Sequence, residues 1–400
     1  MENGRERKGW GLFVLGLVIG LLVALIITSV IFKQNVSLSD DTLLDARVVE
    51  KIEDLENLIH SRYYLAEMTD EELEEGIYRG MLWALNDPYS EYYTAEELKE
   101  LMDQSEGIYY GIGAHVGLDK ETSLPKINDV IAGTPAEEAD LRPDDLIYMV
   151  DDELTYGLSL TEAVALIKGP EGTKVTLTLI RDGVSDYLEV TIPRKKVESP
   201  TVNFKMLEDG MAYIEITEFD DVTVDQFADA LAMAKGSDMK GLILDLRANP
   251  GGSLSAVVEI ARMILPEGMI VYTEDKAGKR SEYSCDGKRE LQVPLVVLID
   301  GNSASASEIL AGAIQDYKLG TLVGTTTFGK GIVQQVIAMN DGSAIKLTIS
   351  SYFTPKGRNI HGTGIEPDVE CKFDSQAYYD EENPYDNQLE KAKEVLKGML

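Results

Sequence analysis

The stretch PLVVLIDGNSASASEILAGA, Pro294 to Ala313, decides the reading of the chain. It opens on a continuous apolar run of strand length, the pattern of a strand covered on both faces. It then turns on small residues and continues as a helix. GLILDLRANPGGSLSAVVEIARMIL, Gly241 to Leu265, repeats the plan. Strands of this kind alternating with helices predict an α/β core in which two helix N-termini open toward the same side of a sheet. Anions collect at such ends, because free N–H groups and the helix dipole favour negative charge there.

The serines of the first turn, Ser303, Ser305 and Ser307, admit two readings. Ser305 with Glu308 three residues on fits a capping box, and small residues let a helix pack closely. The second reading, a nucleophile, is raised by TTTFGKGIVQQ, Thr325 to Gln335. There Lys330 sits between two glycines and Gln334 follows four residues later. Positions i and i+4 share a face in a strand and in a helix alike, so both side chains point the same way. A lysine held by glycines and oriented by an amide is a candidate general base for serine. The rival base, His361, stands alone in a Gly-rich loop with no carboxylate at a diagnostic spacing.

Working outward, 400 residues with 44% hydrophobic content provide for two or three packed units. The 37 Lys+Arg against 70 Asp+Glu give a formal charge of −33, which repels phosphate backbones and excludes nucleic acid as the partner. Polypeptide or a small molecule fits better. Cys285 and Cys371 are far apart and in no metal-ligand spacing, so no metal or cofactor is expected. At the N-terminus the uncharged stretch Gly9 to Phe32 is long enough to cross about 30 Å of hydrocarbon. An uncleaved anchor is preferred to a signal peptide, because the run exceeds the usual apolar region and no A-x-A site follows. Arg5, Arg7 and Lys8 outnumber Lys33 across it, which puts the N-terminus in the cytoplasm and the rest of the chain outside.

From Thr42 to about Leu101 the pattern is helical, with capping boxes at TDEE (Thr69 to Glu72) and TAEE (Thr94 to Glu97). The apolar face of these helices is equally compatible with packing on the rest of the chain and with pairing to a second copy as a homodimer. Glu106 to Arg194 reads as short strands with two helices. One starts at a Thr134–Glu137 box and the other runs from Ser159 to a stop at Gly169, and a hairpin turns at Asp182-Gly183. Gly111 and Gly113 let successive N–H groups converge on an anion, beside which a peptide could add as a strand.

This module resembles a PDZ domain, in YYGIGAHV, GTPAEEADLRPDDLIYMVDD and LIKGPEGTKVTLTLIR. The resemblance implies capture of a peptide C-terminus at Tyr110, Gly111, Ile112 and Gly113. It departs from the usual glycine at Asp140 and Asp144, where Asp tolerates a left-handed conformation. DLRANPGG, SASASEILAGA, LVGTTTFGKGIVQ and GIEPD, with NDPYSEYY ahead of the module, resemble the carboxyl-terminal processing (tail-specific) serine peptidases from about Asn86 to Asp368. That resemblance implies Ser305 as nucleophile, Lys330 as general base and Gln334 as the residue orienting it. The oxyanion hole would be the backbone N–H of Ala306 with that of Gly251 or Gly252. It also implies a core of repeated ββα units in a spiral like that of the crotonases and the Clp-type peptidases.

The expected organisation is α/β and multidomain: 1–35 cytoplasmic tip and anchor, 36–102 helical region, 103–195 PDZ-like domain, 196–370 peptidase core and 371–400 an acidic, helical tail. The expected function is a serine endopeptidase of a bacterial-type cell membrane, single-pass, with an extracytoplasmic catalytic domain that takes protein substrates by apolar C-termini. A catalytically silent PDZ adaptor is the alternative, and acyl-CoA chemistry on a crotonase-like core is a third reading.

Overall fold

The computed structural model describes residues 43–380 and 383–400. The expected membrane span lies outside them, and no described helix is long and apolar enough to cross a membrane. The chain divides into two units, Met1–Met81 and Leu82–Leu400. The described part of the first is made of the helix Ala46–Arg62 and most of the helix Asp70–Trp83. Asp45 caps the first helix by accepting from Arg47 N and Val48 N, and the expected Thr69–Glu72 box starts the second. Neither helix contains a buried residue.

The second unit is built on a six-stranded sheet in the order Val202–Met206, Met211–Ile216, Gly241–Asp245, Leu295–Ile299, Gly320–Gly324 and Val369–Glu370. Only the first pair is antiparallel. The apolar runs are continuous because both faces are covered. Leu242, Leu244, Val297 and Ile299 pack in the main core with residues of the helices Asp221–Gly236, Leu254–Ala261 and Ala306–Tyr317. The alternate residues Ile243, Val296 and Leu298 pack instead with Ala392 and Leu396 of the helix Asn387–Lys397. A second, antiparallel sheet contains the long strand Ala344–Phe353, flanked by Ile332–Ala338, Gly268–Asp275 and Glu91–Tyr93.

Two expected boundaries are corrected. The helical pattern up to Leu101 is interrupted rather than continuous, because Glu91–Tyr93 is a strand paired with Ala344–Lys346 ahead of the helix Ala95–Glu106, and residues from Leu82 onward belong to the second unit. The segment 371–400 is no tail. Its helix closes one face of the central sheet, and Arg247 anchors it by bonding Asp386 and Gln388 while pairing with buried Asp245.

The PDZ-like module has its own core around Ile127, Ile147, Val175, Leu177 and Ile192. It enters and leaves through one two-stranded ribbon, Ile108–Gly111 against Lys195–Glu198. Asp140 and Asp144 hold φ of 56° and 70°, the left-handed conformation expected of them. The Ser159–Glu162 box forms, but the Thr134 box does not. The Thr134 hydroxyl is drawn to the carbonyls of Ile131 (2.6 Å) and Gly113 (3.1 Å), and Glu137 accepts from Gly133 N instead.

Leu396 is fully buried against the sheet whereas Leu400 is exposed. Leu396→Ala should therefore lower stability by about 2–5 kcal/mol and Leu400→Ala by less than about 0.5 kcal/mol, read as the shift in the urea transition.

Candidate active site

Adjacent parallel strands bring the two small-residue turns together, since Asp245 is in register with Leu298. Two of the three serines fasten them. Ser303 Oγ donates to Leu246 O (2.8 Å) and accepts from Asp300 N (2.9 Å). Ser307 Oγ donates to Asn249 O (3.0 Å), which also accepts from Ala304 N. Both serines are fully buried. Ser305 is different: it is half-buried, precedes the first turn of its helix, and holds φ 53° and ψ −111°. A non-glycine residue in such a region costs on the order of 1–3 kcal/mol and persists only where its surroundings impose it.

What imposes it is Glu308. This fully buried carboxylate accepts from Ser305 N (2.9 Å) and Lys330 N (2.8 Å) on one oxygen, and from Gly329 N (2.7 Å) and Thr327 Oγ1 (2.6 Å) on the other. The serine turn and the lysine loop are thus tied through one side chain. Tyr352 adds a second tie, its hydroxyl bridging the carbonyls of Ser305 (3.0 Å) and Lys330 (2.5 Å). Burial and the Glu308 carboxylate push that hydroxyl well above the usual tyrosine range, so it stays a donor.

Ser305, Ala306, Gly252, Lys330 and Gln334 line one cavity of about 450 Å³. Gly251 does not line it. The Gly251 N–H donates to Asn249 Oδ1 (2.8 Å), whereas no acceptor meets the N–H of Gly252 or Ala306 among the described residues. Gly252 has φ 135°, and a Cβ there would lie 2.3 Å from Phe219 O, so the turn requires glycine. Burial, with Lys346 nearby, pushes the Lys330 ammonium below the usual lysine range, and Asp87 and Glu91 oppose that shift. Lys330 Nζ lies 4.5 Å from the centre of the Tyr89 ring. Gln334 Nε2 donates to Thr348 Oγ1 (3.3 Å), and no bond joins Gln334 to Lys330. The cavity wall also carries Glu218 and buried Asp220, whose carboxyl is pushed up to about 7 by burial and by Glu218 and Asp221. His361 is exposed and outside the cavity lining.

At the peptide-binding loop, Tyr110 and Gly111 belong to the ribbon strand, and the Ile112 side chain is buried in the module core. Gly113 has φ 90°, and a Cβ there would lie 2.2 Å from that of Thr134, so this glycine serves close packing as well as the turn. Any ligand contact at Ile112 and Gly113 would be made by the backbone. Glu56, His60 and Asp70, all exposed in the N-terminal unit, could converge on a cation, but nothing else at that surface points to one.

Sequence reasoning missed three contributors to the cavity region. Glu308 was read only as a capping partner, Tyr352 was not singled out, and Tyr89 lay within NDPYSEYY with no role assigned. The capping-box spacing was the available signal for Glu308. Tyr89 and Tyr352 reach the lysine only through pairing of distant strands.

Comparison with known proteins adds to this geometry. Residues 210–371 match the model of peptidase family S41, 126–181 that of a PDZ domain, and 28–97 that of the activating protease CtpB N-terminal domain. The chain is 33% identical to the carboxyl-terminal-processing protease of Synechocystis sp., over 98% of this chain and 94% of the relative. It is 36% identical to the carboxy-terminal processing protease CtpB of Bacillus subtilis, over 82% of this chain and 68% of the relative. The crystal structure of a putative S41 protease from Bacteroides fragilis, 17% identical, shares the fold with a TM-score of 0.54, covering 90% of this chain and 100% of that one.

Glu308→Ala would orphan four donors, buried at Thr327 and Gly329 and part-buried at Ser305 and Lys330. With each unsatisfied buried group costing about 1–3 kcal/mol, the substitution should destabilise the chain by at least about 3 kcal/mol in urea unfolding followed by circular dichroism.

Proposed function

The chain belongs to peptidase family S41, the carboxyl-terminal processing serine peptidases, and on that premise we propose that it cleaves proteins by a Ser305/Lys330 mechanism after capturing apolar C-termini in its PDZ domain. The observation that carries the catalytic reading is the division of labour among the serines. Ser303 and Ser307 spend their hydroxyls on backbone carbonyls, while Ser305 faces a cavity shared with a lysine. Lys330 takes the Ser305 proton as Oγ attacks the scissile carbonyl and returns it to the leaving amine. Burial supports this, because an unperturbed lysine, with a pKa of about 10.4, is almost wholly protonated at neutral pH. Gln334, which is bonded to Thr348 and not to Lys330, would orient the lysine by turning its amide oxygen to it, an acceptor that supplies no charge to hold the proton on.

The oxyanion is met by the N–H groups of Ala306 and Gly252. Neither meets an acceptor among the described residues, and the Ala306 donor stands at a helix N-terminus. Gly251 acts one step back, since its own N–H is used by Asn249.

The N–H groups at Ile112 and Gly113 receive the substrate's terminal carboxylate. The N-terminal segment anchors the chain in a cell membrane with the peptidase outside the cytoplasm, as the apolar run from Gly9 to Phe32 and the flanking basic residues favour. The helices Ala46–Arg62 and Asp70–Trp83, which contain no buried residue, pair with a second copy in a homodimer.

Ser305→Ala should abolish cleavage of an unfolded protein with an apolar tail, while Ser303→Ala and Ser307→Ala retain a measurable fraction; full activity in Ser305→Ala would refute the assignment. The kcat/KM of the native enzyme should rise with pH along a limb below the ordinary lysine value, and Gln334→Glu should move that limb upward, because a carboxylate stabilises the ammonium. At the PDZ domain, amidating the C-terminus of an apolar peptide should weaken binding about tenfold or more in calorimetry, since the charge on the acceptor is lost.

A further inference from the structure

The segment Asn86–Tyr93 reaches the cavity from far upstream in the chain, and its local bonds fix one side chain against the lysine. Asp87 accepts from Tyr89 N (3.0 Å) and Ser90 Oγ (2.6 Å), and Ser90 Oγ in turn accepts from Thr348 N (3.1 Å). The strand Glu91–Tyr93 then pairs with the long strand that carries Thr348. Held in this way, the half-buried Tyr89 presents its ring 4.5 Å from Lys330 Nζ, and both residues line the cavity. We propose that Tyr89 is a positioning residue of the catalytic lysine, its ring face fixing Lys330 Nζ in the cleft and stabilising the ammonium that forms while the lysine carries the serine proton. The proposal rests on Lys330 being the base.

The chemistry asks two opposed things of this lysine. It must be neutral to take the proton from Ser305 Oγ as the new O–C bond forms. It must then hold that proton until the C–N bond breaks and the leaving nitrogen accepts it. Burial and Lys346 on the long strand disfavour the ammonium, although Lys346 is itself paired with Glu91 (2.9 Å) and bonded to Tyr93 OH (2.6 Å). Asp87 and Glu91 favour it from the upstream segment. A carboxylate in direct contact would hold the proton too firmly. An aromatic face attracts a cation through its quadrupole without accepting the proton, and so favours the charged form moderately. The ring does this without its hydroxyl, so phenylalanine should serve as well.

The Lys330 titration is read directly, by NMR of ¹³C,¹⁵N-lysine in the full-length Ser305→Ala chain in detergent, with the resonance assigned by its absence in Lys330→Arg. Tyr89→Leu should lower the Lys330 pKa by about 0.5–1.5 units, and Tyr89→Phe should leave it within about 0.3 units of the parent value. With Ser305 intact, the rising limb of kcat/KM should move to lower pH by the same amount in Tyr89→Leu. Its plateau should fall roughly tenfold, because Nζ loses the face that held it. Tyr89→Phe should restore both. Should the leucine variant fail to fold, Tyr89→Met carries the same expectations. An unmoved Lys330 value, or a phenylalanine variant that behaves like the leucine one, overturns the proposal. A Lys330 value that moves while the kinetic limb stays fixed removes the lysine from catalysis. The proposal then falls through its premise, a failure that the NMR titration distinguishes from loss of the contact.

Discussion

The Glu308 carboxylate is the interaction on which the site depends. Its four donors come from the first turn of the serine helix and from the loop at Thr327–Lys330, so neither segment can shift without orphaning a buried charge. Unsatisfied buried donors are costly, and a buried carboxylate stripped of its partners is costlier still. That constraint holds Ser305 at a positive φ that serine would not otherwise adopt, and holds the Lys330 backbone beside it. Tyr352 braces the same two residues from the opposite chemical side, donating to their carbonyls where Glu308 accepts from their N–H groups.

Around this brace the sheet supplies position and the side chains supply charge. Parallel register sets Asp245 beside Leu298 and therefore places the glycine turn against the serine turn, where Ser303, Ser307 and Asn249 lock them. The serine repeat thus serves two purposes. Its outer members are structural hydroxyls with assigned acceptors, and its middle member is left for the cavity. The chain's formal charge of −33 is not reflected in the cavity as a whole, which also receives Lys330 and Lys346. Burial there pushes the Lys330 ammonium below the usual lysine range, and the nearby carboxylates of Asp87 and Glu91 oppose that shift.

The site is also closed by residues remote in sequence. Tyr89 and the strand Glu91–Tyr93 join a sheet otherwise built from residues after Gly268, and the helix Asn387–Lys397 covers the opposite face of the central sheet. A peptidase core cut at the expected boundaries, 196–370, would lack both. Its sheet would expose Ile243, Val296 and Leu298, and its lysine would lose the aromatic face.

Sequence by itself determined the elements whose cause is local. Continuous apolar runs announced the covered strands, small-residue turns announced the helix starts, and the Thr69 and Thr94 capping boxes formed as read. Asp140 and Asp144 adopted the left-handed conformation allowed to them. The resemblance of the motifs identified the family and selected Ser305, Lys330 and Gln334, which the fold brings to one cavity. Only the tertiary structure decided matters that depend on partners distant in the chain. Thr134 abandoned its box because the Ile131 carbonyl and the Gly113 carbonyl, the latter 21 residues earlier, offered its hydroxyl other acceptors. Gly251 and Gly252 were indistinguishable as letters and differ because Asn249 claims one N–H and leaves the other to the cavity. Glu308 and Tyr89 acquired their contacts with the lysine loop in the same way, since a hydrogen bond or a ring contact depends on distance in space, which strand pairing fixes and local periodicity does not encode.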